Sequence, residues 1–283
     1  MAVTIIIDAG CDLMVSEAQD MGVILVPMTI HFADLSYRAG FDISHDEFYK
    51  KLAASKELPT TSQPAPYLFE EAFEKAVSEG FDVVCLTCAG KLSGTNQSAN
   101  IAAAEFDGKV HVVDSQTIAI SLGILVEYAL QLVERGLSAE EIVLKLLRKR
   151  EKVRLLALVD TLEYLKKGGR ISSTVAFAGG LLNIKPVITV ADGEIKLLGK
   201  ARGSKQGNNL LVQEIQKAGG VDFTMPLMLG YTGLSDALLQ KYIQDSAALW
   251  EGNVENLPVS IVGSVVGTHA GPGAVAVAFF AAE

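Results

Sequence analysis

Through the first half of the chain, short β-branched runs alternate with longer amphipathic stretches, the pattern of a parallel sheet covered by helices. Val3 to Ile7, Val23 to Ile30, Asp82 to Thr87 and Val110 to Val113 read as strands. Between them, Leu68 and Phe69, Ala72 and Phe73, and Ala76 and Val77 recur four apart, which gives Tyr67 to Ser78 one apolar helical face. Ser138 followed by Glu141 is a capping box with Leu137 and Ile142 as its staple, so a helix runs from about Ala139 towards Arg150. These elements predict a first domain over residues 1–150.

From Val153 the pattern changes. Val153 to Val159, Val187 to Val190, Glu194 to Leu198, Pro226 to Tyr231, Val259 to Val266 and Ala274 to Phe280 are strand-like. The pair flanking Ala191-Asp192-Gly193 reads as a hairpin, because Asp-Gly accepts the positive φ of a tight turn. Helices are expected over Leu210 to Lys217 and Ser235 to Trp250. The expectation is an α/β protein of two domains. The first has a mostly parallel sheet flanked by helices; the second, residues 151–283, has a mixed or antiparallel sheet with helices.

Composition narrows the class. A chain of 283 residues exceeds the usual single core, which agrees with two domains. Acidic residues outnumber basic ones, 33 to 24, for a formal charge of -9, against the clustered basic surface that nucleic acid requires. Three cysteines cannot all pair, and Cys85 and Cys88, although spaced C-x-x-C, sit in an apolar run that reads as a buried strand. The N-terminus reaches Asp8 too soon for a signal peptide, and no uncharged run approaches the ~18 residues of a membrane span. The expectation is a cytoplasmic protein without stable membrane insertion. Its 49% hydrophobic content then describes interior, as in a large α/β core or an apolar ligand cavity.

Four polar segments, three of them bearing glycine, fall where strands end, the usual place for ligands in open α/β sheets. Thr60 to Pro66 precedes a helix, where a hydroxyl either caps the helix or reaches an anion. Gly90 to Ser98 leads into an alanine-rich helix, Ala99 to Glu105, whose first N–H groups, with Ser93 and Thr95, suit a phosphate or carboxylate. It lacks the G-x-x-x-x-G-K-[ST] order of a nucleotide loop. Lys166 to Ser172 ends a helical segment on two glycines and then presents Arg170, a helix-end cation or an anion ligand. Leu182 to Pro186 forces an extended approach to a strand. Gly267 to Gly273, a loop between two apolar runs, offers His269 as its single titratable group, a ligand residue or a tethered loop histidine.

Seven motifs in this order resemble the DegV family across essentially the whole chain. They are Asp8-Ala9-Gly10-Cys11-Asp12-Leu13, Thr61-Ser62-Gln63-Pro64, Leu92-Ser93-Gly94-Thr95, Val113-Asp114-Ser115, Gly168-Gly169-Arg170-Ile171-Ser172, Ile184-Lys185-Pro186 and Gly267-Thr268-His269-Ala270-Gly271-Pro272-Gly273. The family commonly has serine at positions 9 and 65 and an aromatic at 96, where this chain has Ala9, Ala65 and Asn96. The resemblance implies a two-domain protein that binds a long-chain fatty acid and presents it to a separate fatty acid kinase, which makes acyl phosphate for phospholipid metabolism. By motif position it implies that Thr61 and Ser93 hydrogen-bond the carboxylate, with Arg170 and His269 close by. Ser62, Gly94, Thr95, Gly267 and Thr268 form the supporting loops. It implies no catalytic residue, cofactor or metal.

Two other readings compete. Asp8, at the end of the first strand, suits the nucleophile or metal ligand of a phosphotransferase, although Asp8 and Asp12 lack the D-x-D spacing of aspartyl-phosphate enzymes. The protein also fits a lipid-responsive adaptor that docks a partner near the site.

Overall fold

A computed structural model of the chain describes residues 2–33, 35–172 and 184–282. The first strand, Val3–Asp8, lies inside a four-stranded, all-parallel sheet in the order Ile24–Val26, Val3–Asp8, Asp82–Thr87, Val110–Asp114. Crossover helices cover this sheet. Pro66–Ser78 buries Phe69, Phe73 and Ala76, the face that the four-residue spacing marks. Ala139–Lys149 starts at Ser138 with the expected reciprocal bonds to Glu141.

Strands from the second half build a six-stranded mixed sheet: Glu194–Arg202, Ile184–Ala191, Val153–Leu158, Val275–Phe280, Met228–Tyr231, Val259–Ile261. Its pairings are antiparallel except the last. The hairpin turns at Asp192 and Gly193, both at positive φ. Helices Gly203–Lys217 and Ala237–Asp245 pack on one face through Leu211, Ile215, Leu239 and Tyr242.

Helix Ile120–Glu134 lies between the two sheets and contacts strands of both. It is apolar on nearly every side, so no amphipathic stripe marks it in the sequence. Tyr128 meets Phe280 edge to face on the six-stranded side.

Several sequence expectations are corrected. Val23 to Ile30 is two strands in different sheets. Ile24–Val26 pairs in parallel with Val3–Asp8, and Thr29–Phe32 joins an antiparallel trio with Leu35–Arg38 and Thr60–Ser62. Pro27 lies between them and has no N–H to continue a ladder. Thr60 to Ser62 is therefore strand, and the helix that follows starts at Pro66, with Ala65 as its N-cap and no side-chain cap. The helix placed at Ala99 begins at Thr95. Ser235 to Trp250 is two helices, Ala237–Asp245 and Ala247–Trp250, parted at Ser246.

Val259 to Val266 is a strand only as far as Ile261; helix Ser264–Ala270 follows. Glycine 263 explains the switch. Its N–H donates to Asp12 Oδ1 and its carbonyl accepts from Gly267, so both groups leave the ladder. His269 accordingly stands in the last turn of a helix, not in a loop. Of the extended approach at Leu182 to Pro186, Leu182 and Asn183 lie outside the described residues; strand Ile184–Ala191 carries the rest.

Candidate functional site

One cavity lies between the six-stranded sheet and the first-half elements, with a space of about 870 Å³ counted out to its open mouth. Among the described residues its walls are apolar apart from Thr61, Ser93, Arg170, Thr189, Thr232 and His269. The four residues matched to the anion motifs, far apart in sequence, thus line one space.

The small residues of the sheet make the room. Gly230, Ala276 and Ala157 are direct cross-strand partners on three adjacent strands, and all three line the cavity. A Cβ on Gly230 would come 3.0 Å from Ile120 Cδ1, so that strand also needs glycine to pass under the sandwiched helix.

At the polar end Thr61 Oγ1 and His269 Nε2 share a 2.9 Å hydrogen bond. His269 Nδ1 is buried with no hydrogen-bond partner among the described residues. Burial, and then the neighbouring Arg170 charge, push the imidazole pKa down to about 4, so the ring is neutral at pH 7. The positive charge here is therefore the guanidinium of Arg170. Its Nε donates to Leu92 O at 3.1 Å and its Nη1 to Gly168 O at 2.6 Å, which fixes its plane. Ser93 Oγ lies 2.8 Å from Thr95 Oγ1 and receives the Thr95 N–H at the start of helix Thr95–Ala103. Thr61, Arg170 and His269 also line a second, outer depression with Tyr164, Lys167 and Thr268. They stand at the junction between an oily interior and a polar opening.

A family model described as an uncharacterised protein of the DegV family matches residues 2–282. The chain belongs to the DegV family. A DegV domain-containing protein of Deinococcus radiodurans is 35% identical over 282 residues, 98% of each chain. The solved structure of a DegV family protein from Thermus thermophilus, described by its fatty acid binding, has a TM-score of 0.87 and 34% identity. The match covers 99% of this chain and 100% of that one. A stearic acid-binding protein from Eubacterium ventriosum has a TM-score of 0.86 and 28% identity, covering 98% of this chain and 97% of its own.

Close packing explains three glycines of the DegV motifs, Gly94, Gly168 and Gly267. A Cβ on Gly94 would lie 1.8 Å from Gln63 Oε1, and Gln63 Nε2 donates to Ser98 Oγ at 2.9 Å. The Gln63 amide thus fastens the Thr61 strand across the Ser93 loop. A Cβ on Gly168 would come 2.2 Å from His269 Nδ1. Gly267 passes against Phe48 and Tyr49, where a Cβ would meet Tyr49 Oη at 2.6 Å. Thr268 turns back to Ser264 O. Ser62 faces away and bonds His31.

Asp8 is fully buried, and its two oxygens accept the N–H groups of Gly10 and Cys88, each at 2.7 Å. Burial lifts its pKa to about 6 against those two bonds. With no exposed oxygen, it orders two loops, which disfavours a nucleophile. Cys85, within strand Asp82–Thr87, and Cys88, just beyond it, are buried free thiols. Among the described residues no group of three or more His, Cys, Asp or Glu could hold a metal ion, and no helix is long and apolar enough to cross a membrane.

Proposed function

We propose that this protein binds a long-chain fatty acid, its acyl chain in the apolar cavity and its carboxylate among Thr61, Ser93, Arg170 and His269. The observation that carries this reading is the junction itself: an aliphatic cavity that ends on these four polar side chains. Each buried methylene contributes about 0.8 kcal/mol, so ~14 of them offer on the order of 11 kcal/mol before ordering costs. A buried carboxylate without partners would cancel several kcal/mol of that, and two hydroxyls with one guanidinium meet the need. The fatty acids held by the Thermus and Eubacterium relatives support the same ligand class.

In this reading 1–150 and 151–283 are two domains of a cytoplasmic protein with no enzymatic activity of its own. The outer depression leaves the carboxylate reachable, as a separate kinase forming acyl phosphate requires. Lipid extraction of the purified protein is expected to yield a fatty acid. Arg170→Ala and Ser93→Ala are each expected to lower its content about tenfold while the fold persists. Full lipid content in both variants would remove the carboxylate assignment. ATP turnover by the protein alone, above background, would overturn the presenter role.

A further inference from the structure

The apolar cavity and a polar depression on the far side of the same wall meet back to back at Val190, which lines both. The loop after strand Val110–Asp114 divides in the same way. Ile118 and Ala119 line the cavity, whereas Gln116 and Thr117 line the polar depression, together with Arg150 and Asp192.

This wall stands at the end of the sheet away from the polar cluster. Strand Val153–Leu158 runs out towards Arg170, and strand Val275–Phe280 begins just after His269. In the antiparallel register that pairs Leu156 with Thr189, Val190 falls opposite Leu155. That is four residues back from Val159, or about 13 Å at ~3.3 Å per residue. Beside it, Ala278 and Phe280 are buried in the core that holds helix Ile120–Glu134, with Phe280 edge to face on Tyr128.

The wall is braced. Gln116 and Ala119 hold left-handed φ values of 56° and 64°, unusual for residues other than glycine. Backbone and side-chain bonds pin them: Gln116 N–H to Asp114 Oδ1 at 2.8 Å, Ala119 N–H to Gly10 O at 2.7 Å, and Ala89 N–H to Thr117 O at 2.8 Å.

We propose that Val190, backed by residues 116–119, is the stop that sets the longest acyl chain this protein accepts. The terminal methyl rests against Val190, and a longer chain would push methylenes into polar surroundings beside Arg150 and Asp192. The proposal rests on the fatty acid reading of the cavity.

Delipidated protein offered a homologous series of saturated straight-chain fatty acids, with the bound species weighed by native mass spectrometry, tests it. Val190→Ala is expected to raise the longest retained chain by about two carbons. It should retain the first acid that wild type excludes about tenfold better, as two further buried methylenes imply. Val190→Ile, which keeps the strand-favouring branch, is expected to lower the limit by about one carbon. Should the alanine variant not fold, an unshifted limit in the isoleucine variant overturns the stop. Loaded variants with the wild-type distribution overturn it while leaving the lipid reading intact. Wild type that takes up no acid in the series sinks both.

Discussion

The two faces of the six-stranded sheet come from the same strands and differ in the size of the side chains in neighbouring rows and in what covers them. On the outer face Leu229, Val277 and Leu156 are direct cross-strand partners, and helices Gly203–Lys217 and Ala237–Asp245 close over them. One residue along each strand, Gly230, Ala276 and Ala157 form the corresponding inner row, and that row lines the cavity. The outer face is solid enough that a Cβ on Gly207 would come 2.6 Å from Leu158 Cδ1. A sheet can thus spend one face on stability and keep the other for a ligand, because alternation lets each face be composed separately.

The comparison breaks most readily on the packed face. Phe279→Ala removes a fully buried ring of the outer cluster and is expected to lower unfolding free energy by about 3–5 kcal/mol in denaturant titration. A loss under about 1 kcal/mol would mean that this face is not the solid one. Next, Ala276→Leu fills the hollow row. Fatty acid affinity is expected to fall at least about 100-fold, ~2.8 kcal/mol, while stability changes by less than about 1 kcal/mol. An unaffected affinity would place the acyl chain elsewhere.

The polar end offers a pH signature. An unfolded histidine titrates near its ordinary 6.5, whereas folded His269 is held down to about 4. Between these values the unfolded chain binds more protons, so this contribution is complete above pH 6.5 and is lost as pH falls towards 4. Asp8 has the opposite sign. Its folded pKa of about 6 exceeds the ordinary 3.8, so its contribution is complete below 3.8 and is lost as pH rises through 6. Because Asp8 is common to both proteins, comparing wild type with His269→Gln isolates the histidine. Wild type is expected to lose about 2 kcal/mol relative to the variant between pH 6.5 and 4. Parallel pH profiles would mean that the imidazole is solvated.

The smallest expected effect is at Gly168, whose φ of -74° any residue tolerates, so substitution acts through the side chain alone. Gly168→Ala is expected to push His269 off Thr61 and weaken fatty acid binding about tenfold by calorimetry, with a nearly unchanged melting temperature. Unchanged binding would show that the Thr61 to His269 bond does not shape the head-group end.

Legibility followed the range of the interactions. The parallel strands, the Phe69 and Phe73 face and the Ser138 box are written in neighbouring residues and were readable. Helix Ile120–Glu134 was not, because a helix buried on both sides carries no polar stripe. The turn from strand to helix at Gly263 depends on Asp12, 251 residues away in the chain, and no local propensity reports it. Among the motif residues, Ser93 and Arg170 stood out by their chemistry. The carbonyls of Leu92 and Gly168 that orient Arg170 have no side-chain signature at all.

By itself the sequence determined the α/β class, the change of sheet type near residue 150 and the set of anion-friendly motifs, since these rest on periodicity and on residue chemistry. It even wrote the small and large alternation Ala274-Val275-Ala276-Val277-Ala278-Phe279 in plain order. Which of those two faces would be filled was decided only when distant helices packed. Small residues make a tight contact where they meet Ile120–Glu134 and line a hollow beyond it, so the difference lies in the partner as well as in the row.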